Sequence, residues 1–170
     1  WRMVDSLWNV ESRTRWNGGG LDQPAVHSIC VDPRDTNSVV VAVSSGGVWR
    51  TRDRGATWVP HTRGMVAGYV PPEQAEAPEN QDPHCVVQSP SNPDVFWCQH
   101  HMGIWRSTDD LANWQQLFAE PSSFGFPVAV HPTEPDTAWF VPAHSDQKRA
   151  PIDGRVVVRS EEHTSELQSL

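Results

Sequence analysis

The chain has 170 residues, with 13 Lys and Arg against 21 Asp and Glu, a formal net charge of −8. An acidic balance lacks the basic footprint that phosphate binding requires, which argues against nucleic acid as the main partner. Mean hydropathy is −0.54, and no apolar run approaches the length of a membrane-spanning helix.

In chain order, Trp1 to Val10 reads as strand material at the outer edge of a preceding sheet. Gly18-Gly19-Gly20 is a loop before a strand, with no helix behind it, so it is not a nucleotide fingerprint. Three later segments then align on a proline: Ile29 to Val41 around Pro33, Val86 to Trp97 around Pro90, and Val128 to Phe140 around Pro132. Each has a short apolar strand, a Pro/Asp/Asn turn cluster and a second strand rich in Val, Trp or Phe. The first two continue into a further repeated unit. Gly47-Val48-Trp49-Arg50 leads into Thr51-Arg52-Asp53-Arg54-Gly55-Ala56-Thr57-Trp58, and Gly103-Ile104-Trp105-Arg106 leads into Ser107-Thr108-Asp109-Asp110-Leu111-Ala112-Asn113-Trp114. The unit therefore carries four strands and recurs every ~45 residues. Between the first two copies lies an insert, residues 64–83, rich in Pro, Glu, Gln and Ala. Inserts of this kind map to loops and often carry function.

The chemistry of the repeated turn explains its recurrence. An Asp carboxylate binds nearby backbone N–H groups, a Gly accepts positive φ, and a Ser or Thr hydroxyl ties the same turn. The closing Trp buries a large ring. Thr51, Asp53, Gly55, Thr57 and Trp58 form a complete copy; Ser107, Asp109 and Trp114 persist in the second, where Leu111 replaces Gly and Asn113 replaces Thr. Those two replacements put the second turn's geometry in question.

The Ser/Thr-x-Asp-x-Gly-x-Thr-Trp pattern with its strand lead-in resembles the Asp-box (BNR) repeat of sialidase-like, sortilin-like and glycosyl hydrolase-type β-propellers. The resemblance implies an all-β fold, a partial propeller of about three four-stranded antiparallel blades forming an open arc, truncated at both ends. Residues 1–158 are expected to belong to one such domain, an internal piece of a longer chain. Residues 159–170 resemble the translation of a sequencing adapter and are expected to be foreign to it; the other reading of this segment is a short polar C-terminal helix.

Three cysteines, Cys30, Cys85 and Cys98, fall in or beside expected strands and read as free thiols, which points to a reducing compartment; the sequence leaves the localisation unknown. Of nine tryptophans, Trp49, Trp58, Trp105 and Trp114 are repeat-equivalent and belong to packing. Trp8 and Trp16 stand outside the repeat and read as candidate sugar-stacking platforms.

Candidate chemistry lies just before each first strand. Asp22 and His27 in one copy correspond to Asp82 and His84 in the next; the third has Phe126 at the histidine's place. The propeller resemblance implies that these residues face the channel mouth, as weak candidates for catalysis. The plainer reading makes each Asp a turn and each His a strand-end cap. His100 and His101 are candidate ligand contacts. As neighbours on a strand they point to opposite faces and cannot readily share one metal ion, so no metal and no cofactor is expected. The arginine triad of sialidases has no counterpart, and the single tyrosine, Tyr69, lies in the insert, so no sialidase catalytic residue transfers. The expected function is a carbohydrate- or ligand-binding propeller of glycosyl hydrolase or exo-sialidase type, with a non-catalytic protein-binding or assembly propeller, sortilin-like or photosystem assembly factor-like, as the alternative. Partners are a carbohydrate or a protein, with no nucleic acid and no membrane span.

Overall fold

In a computed structural model, which describes residues 2–20, 22–154, 156–159 and 164–166, the chain folds into three four-stranded antiparallel sheets. The first holds β1 (Val26–Val31), β2 (Val39–Val43), β3 (Gly47–Thr51) and β4 (Val59–Pro60). The second holds β5 (Pro83–Gln88), β6 (Phe96–His100), β7 (Gly103–Ser107) and β8 (Gln115–Leu117). The third holds β9 (Gly125–Val130), β10 (Ala138–Pro142), β11 (Val157–Arg159) and β12 (Thr164–Glu166). Strand order follows chain order in each sheet, and β1 lies against β5 and β5 against β9, so the first strands line one side of an arc. The 159–170 segment falls largely outside the described residues; Arg159 and Thr164–Glu166 are strand, not helix.

The middle strands are buried on both faces: the second sheet and the N-terminal segment cover β2, and the first and third sheets cover β6. On β2, Val40 and Ala42 join Val86, Phe96, Cys98, Trp105, Leu111 and Trp114 in the core between the first two sheets. The alternate residues Val41 and Val43 pack with Trp49 on the other face. On β6, Phe96 and Cys98 face the first sheet, while Trp97 turns to Val128, Ala138 and Phe140 of the third.

The N-terminal segment departs from expectation. It forms a short helix, α1 (Asp5–Trp8), and a 3-10 turn at Glu11–Arg15 rather than strands. Leu7, Val10 and Trp16 close over Val41, Val43 and Trp49, a spacing of three that a helical turn presents to one side. The insert is packed as well. Met65 and Ala67 are fully buried, and the Gln81 carbonyl accepts from the N–H groups of both Gly46 and Gly47.

Both repeated turns close through side-chain hydrogen bonds. The Thr51 hydroxyl donates to Asp53 Oδ1 at 2.7 Å and accepts from the Gly55 N–H. Asp53 accepts from the N–H and hydroxyl of Thr57. In the second turn the Asn113 amide donates to Asp109 Oδ2 at 2.8 Å, where Thr57 donates in the first, and the Leu111 N–H donates to Ser107 Oγ. Leu111 takes φ 69° where Gly55 takes 86°. A left-handed non-glycine residue costs roughly 1–2 kcal/mol, less than the ~2–3 kcal/mol gained by burying its side chain, which is 1 % exposed. Replacing Leu111 with Gly is therefore expected to destabilise the fold by about 1 kcal/mol or more in urea denaturation, despite relieving the backbone.

The Thr57 hydroxyl, with the Thr57 N–H and Thr51, lowers the Asp53 carboxyl from 3.8 to about 2. A folded-state value below the unfolded one stabilises above the unfolded value and is lost as pH falls through the folded one. Melting temperature should thus fall between pH 3.8 and about 2, and Asp53→Asn should flatten that part of the curve. An identical acid limb in the variant would contradict the turn's role.

Candidate functional site

A recurrent bulge organises the site. Each first strand carries one extra residue near its start, opposite the end of its neighbour: His27 between the pairs Val26–Val43 and Ser28–Ala42, His84 between Pro83–His100 and Cys85–Gln99, and in the third sheet Phe126 and Pro127 together opposite Val141. A bulge re-aims the unpaired side chain. The Nδ1–H of His27 donates to the Pro83 carbonyl at 3.2 Å, and that of His84 donates to the Gly125 carbonyl at 2.7 Å. One ring nitrogen therefore ties each sheet to the next. His84 also stacks on Phe126, with centroids 4.8 Å apart.

Around His84 the chain gathers a polar cluster. Asp82, 6 % exposed, accepts the Ser45 N–H on Oδ1 at 3.0 Å. Its Oδ2 lies 3.5 Å from His84 Nε2 and 3.6 Å from His101 Nδ1. Burial pushes the Asp82 carboxyl up, but the hydrogen bond and charge of His84, the Ser45 N–H and His100 outweigh it and hold the group below its usual value. Tyr69 sets its ring edge-to-face with His101 and donates its hydroxyl to the Asn80 carbonyl. Desolvation first, and the Asp82 charge second, push the tyrosine hydroxyl up. Phe124 stands edge-to-face with both His84 and His101. Gly19 crosses close by, since a Cβ there would lie 3.3 Å from Asp82 Oδ2.

The cluster therefore draws on the β2–β3 turn, the insert, the start of β5, the β6–β7 turn and the approach to β9. These all lie at the end of the second sheet opposite the Ser107–Trp114 turn, because β7 runs from one end to the other.

The expected site residues divide. Asp82, His84 and His101 converge. His100 does not join them: it is fully buried, accepts the Asp82 N–H on Nε2 at 2.9 Å, and burial lowers it to about 3, so it is neutral and out of a ligand's reach. Asp22 and His27 are exposed and stand outside the cluster. Trp16 packs on Trp49 with centroids 5.5 Å apart and donates its Nε1–H to Ser12, which makes it part of the packing under the N-terminal segment. Ser45 and Phe124 were not anticipated. Aligning Gly47 with Gly103 places Ser45 opposite His101, so the repeat itself held that signal.

A concavity of about 680 Å³ opens on the outer face of the first sheet, lined by Met3, Leu7, Trp8, Val26 and Ile29 among others. Among the described residues its lining includes no carboxylate and no histidine, and it does not reach the Asp82 cluster.

The three sheets with adjacent first strands define a β-propeller arc. Solved propellers share it. An ancestral GH74 enzyme matches with TM-score 0.59 and 18% identity over 84% of this chain and 18% of its own. The GH74 xyloglucanase from Xanthomonas campestris matches with TM-score 0.55 and 16% identity over 82% of this chain and 21% of its own. YCF48 from Cyanidioschyzon merolae matches with TM-score 0.56 and 23% identity over 84% of this chain and 38% of its own, and a YCF48 structure bound to D1 peptide matches with TM-score 0.52. The chain thus spans about a fifth of the GH74 neighbours and under two fifths of YCF48. No protein-family model and no curated sequence matches it.

Proposed function

We propose that this chain is part of a propeller that binds a peptide at the Asp82 mouth. The observation that carries the reading is that Asp82 is engaged by a backbone N–H on one oxygen and faced by two imidazoles on the other. Imidazoles, a carboxylate and edge-on aromatic rings suit polar and aromatic groups of a peptide. The likeness to YCF48 bound to D1 peptide supports the choice of ligand class. A glycan is the second reading, favoured by the Tyr69 ring, 46 % exposed beside the cluster, and by the likeness to a xyloglucanase.

The test incubates the full chain with xyloglucan oligosaccharides while following reducing ends, and separately titrates it with the D1 peptide. The expected result is no release of reducing ends and saturable peptide binding that Asp82→Asn weakens about tenfold. Release that disappears in Asp82→Asn would overturn the reading.

A further inference from the structure

The cluster at the mouth has the donor set of a metal centre, and we propose that Asp82, His84 and His101 bind a divalent transition-metal ion, with zinc the best-suited member of that class. The proposal stands whichever ligand the mouth takes. Donors at ~2.0–2.2 Å from a tetrahedral ion lie ~3.4 Å apart. Asp82 Oδ2 is 3.5 Å from His84 Nε2 and 3.6 Å from His101 Nδ1, and one ligand atom from each of the three residues lies within 4.8 Å of the others. Only the gap between the imidazoles has to narrow. The His101 side chain, 32 % exposed and in the β6–β7 turn, is the member with room to move.

The tautomer of His84 points the same way. A carbonyl oxygen only accepts, so the 2.7 Å contact with Gly125 places a proton on His84 Nδ1. Nε2 is then the ring atom turned towards Asp82 Oδ2, 3.5 Å away, and a bound cation would bridge the two. A backbone carbonyl on the far ring nitrogen is the usual support of a metal-bound histidine, and the Ser45 N–H on Asp82 Oδ1 supports the carboxylate in the same manner. The two imidazoles are borderline donors that favour zinc and its neighbours over calcium or magnesium, and zinc also accepts a carboxylate oxygen. Three protein donors leave a fourth position open to water or to a ligand's own donor.

His100 takes no part: it ends β6 and is buried, while His101 opens the turn beyond it. His27 repeats the ring-to-carbonyl contact, on the Pro83 carbonyl, without a cluster of its own.

The experiment titrates the full chain with Zn2+ against a chromophoric chelator and repeats the titration with Co2+ for its absorption spectrum. The expected result is one ion per chain and a cobalt spectrum free of thiolate charge-transfer bands, which separates this site from Cys30, Cys85 and Cys98. His101→Ala and Asp82→Asn should each lower Zn2+ affinity at least ~100-fold, the upper end of what loss of even an outer-shell partner costs. Circular dichroism of His101→Ala and of the milder His101→Gln checks that the fold persists. Absence of saturable uptake by the wild-type chain, or unchanged stoichiometry and affinity in folded His101→Gln and Asp82→Asn, would overturn the proposal; such results fit an imidazolium at His84 paired with Asp82 instead.

Discussion

Trp97→Ala is expected to cost about 3–5 kcal/mol, which is roughly a fifth or more of the total stability of a typical domain. Trp97 is fully buried between the second and third sheets, edge-to-face with Phe140 at 6.0 Å and under the Arg106 guanidinium at 5.0 Å. Its Nε1–H donates to the Pro135 carbonyl at 2.9 Å. That hydrogen bond contributes ~1 kcal/mol net, so the cavity left by the ring dominates. Urea denaturation measures both terms. Trp97→Phe, which keeps most of the ring and loses the donor, should cost less than half as much. A loss below ~1 kcal/mol for the alanine variant would mean that the two sheets do not pack as described.

Asp110→Ala is expected to cost about 3 kcal/mol, towards the lower end of what removing one partner of a buried pair does. Arg50 lies between the first two sheets with its side chain 1 % exposed. It donates to Ser38 Oγ at 3.0 Å, to Asp110 Oδ1 at 2.6 Å and to the Asp110 carbonyl at 3.2 Å, and approaches Asp32 Oδ2 at 3.5 Å. Loss of the Asp110 carboxylate strands part of that charge in the interior; Asp32 and Ser38 moderate the cost. Asp110 also sits at φ 57°, which Asn tolerates and Ala does not, so Asp110→Asn separates charge from backbone strain. Arg52 meets the other oxygen of the same carboxylate at 2.7 Å but is 61 % exposed, and Arg52→Ala should cost under ~1 kcal/mol. Equal losses for the Asp110 and Arg52 alanine variants in chemical denaturation would contradict the burial argument.

Much of the fold was legible because repetition and burial point the same way. Val39–Val43 and Phe96–His100 could be read as strands from Val, Phe and Trp content between turn residues, and two covered faces explain the unbroken apolar character of Val39–Val43. Trp1 to Val10 could not be read correctly, since a four-residue helix has too few turns to show a period. Leu111 appeared to spoil the second turn; its burial against Phe96 and Trp114 offsets the backbone strain, a tertiary effect that no local rule contains.

The site was legible in parts. The repeat singled out Asp82 and His84, which the structure brings together with His101; His100 ends β6 and His101 opens the turn after it, so alternation along a strand does not govern the pair. The convergence of His101 with the other two depends on the bulge at His84, which turns the ring across the strand, and bulges leave no mark in a sequence of this kind. Asp22 and His27 occupy equivalent positions in the repeat, yet stand apart from the cluster. Sequence equivalence carried the bulge over to His27 but not the surroundings, because its partner in the turn is Ser45 where the next sheet has His101.

The central claim is that the mouth at Asp82 is where a ligand binds. Amide chemical-shift mapping of the nitrogen-labelled chain, with D1 peptide and xyloglucan oligosaccharide added in turn, tests it most directly. The account predicts saturable shifts at Ser45, Tyr69, His84, His101 and Phe124 with the peptide. Shifts confined to the apolar hollow around Trp8 and Ile29, or none at the mouth with either ligand, would contradict it.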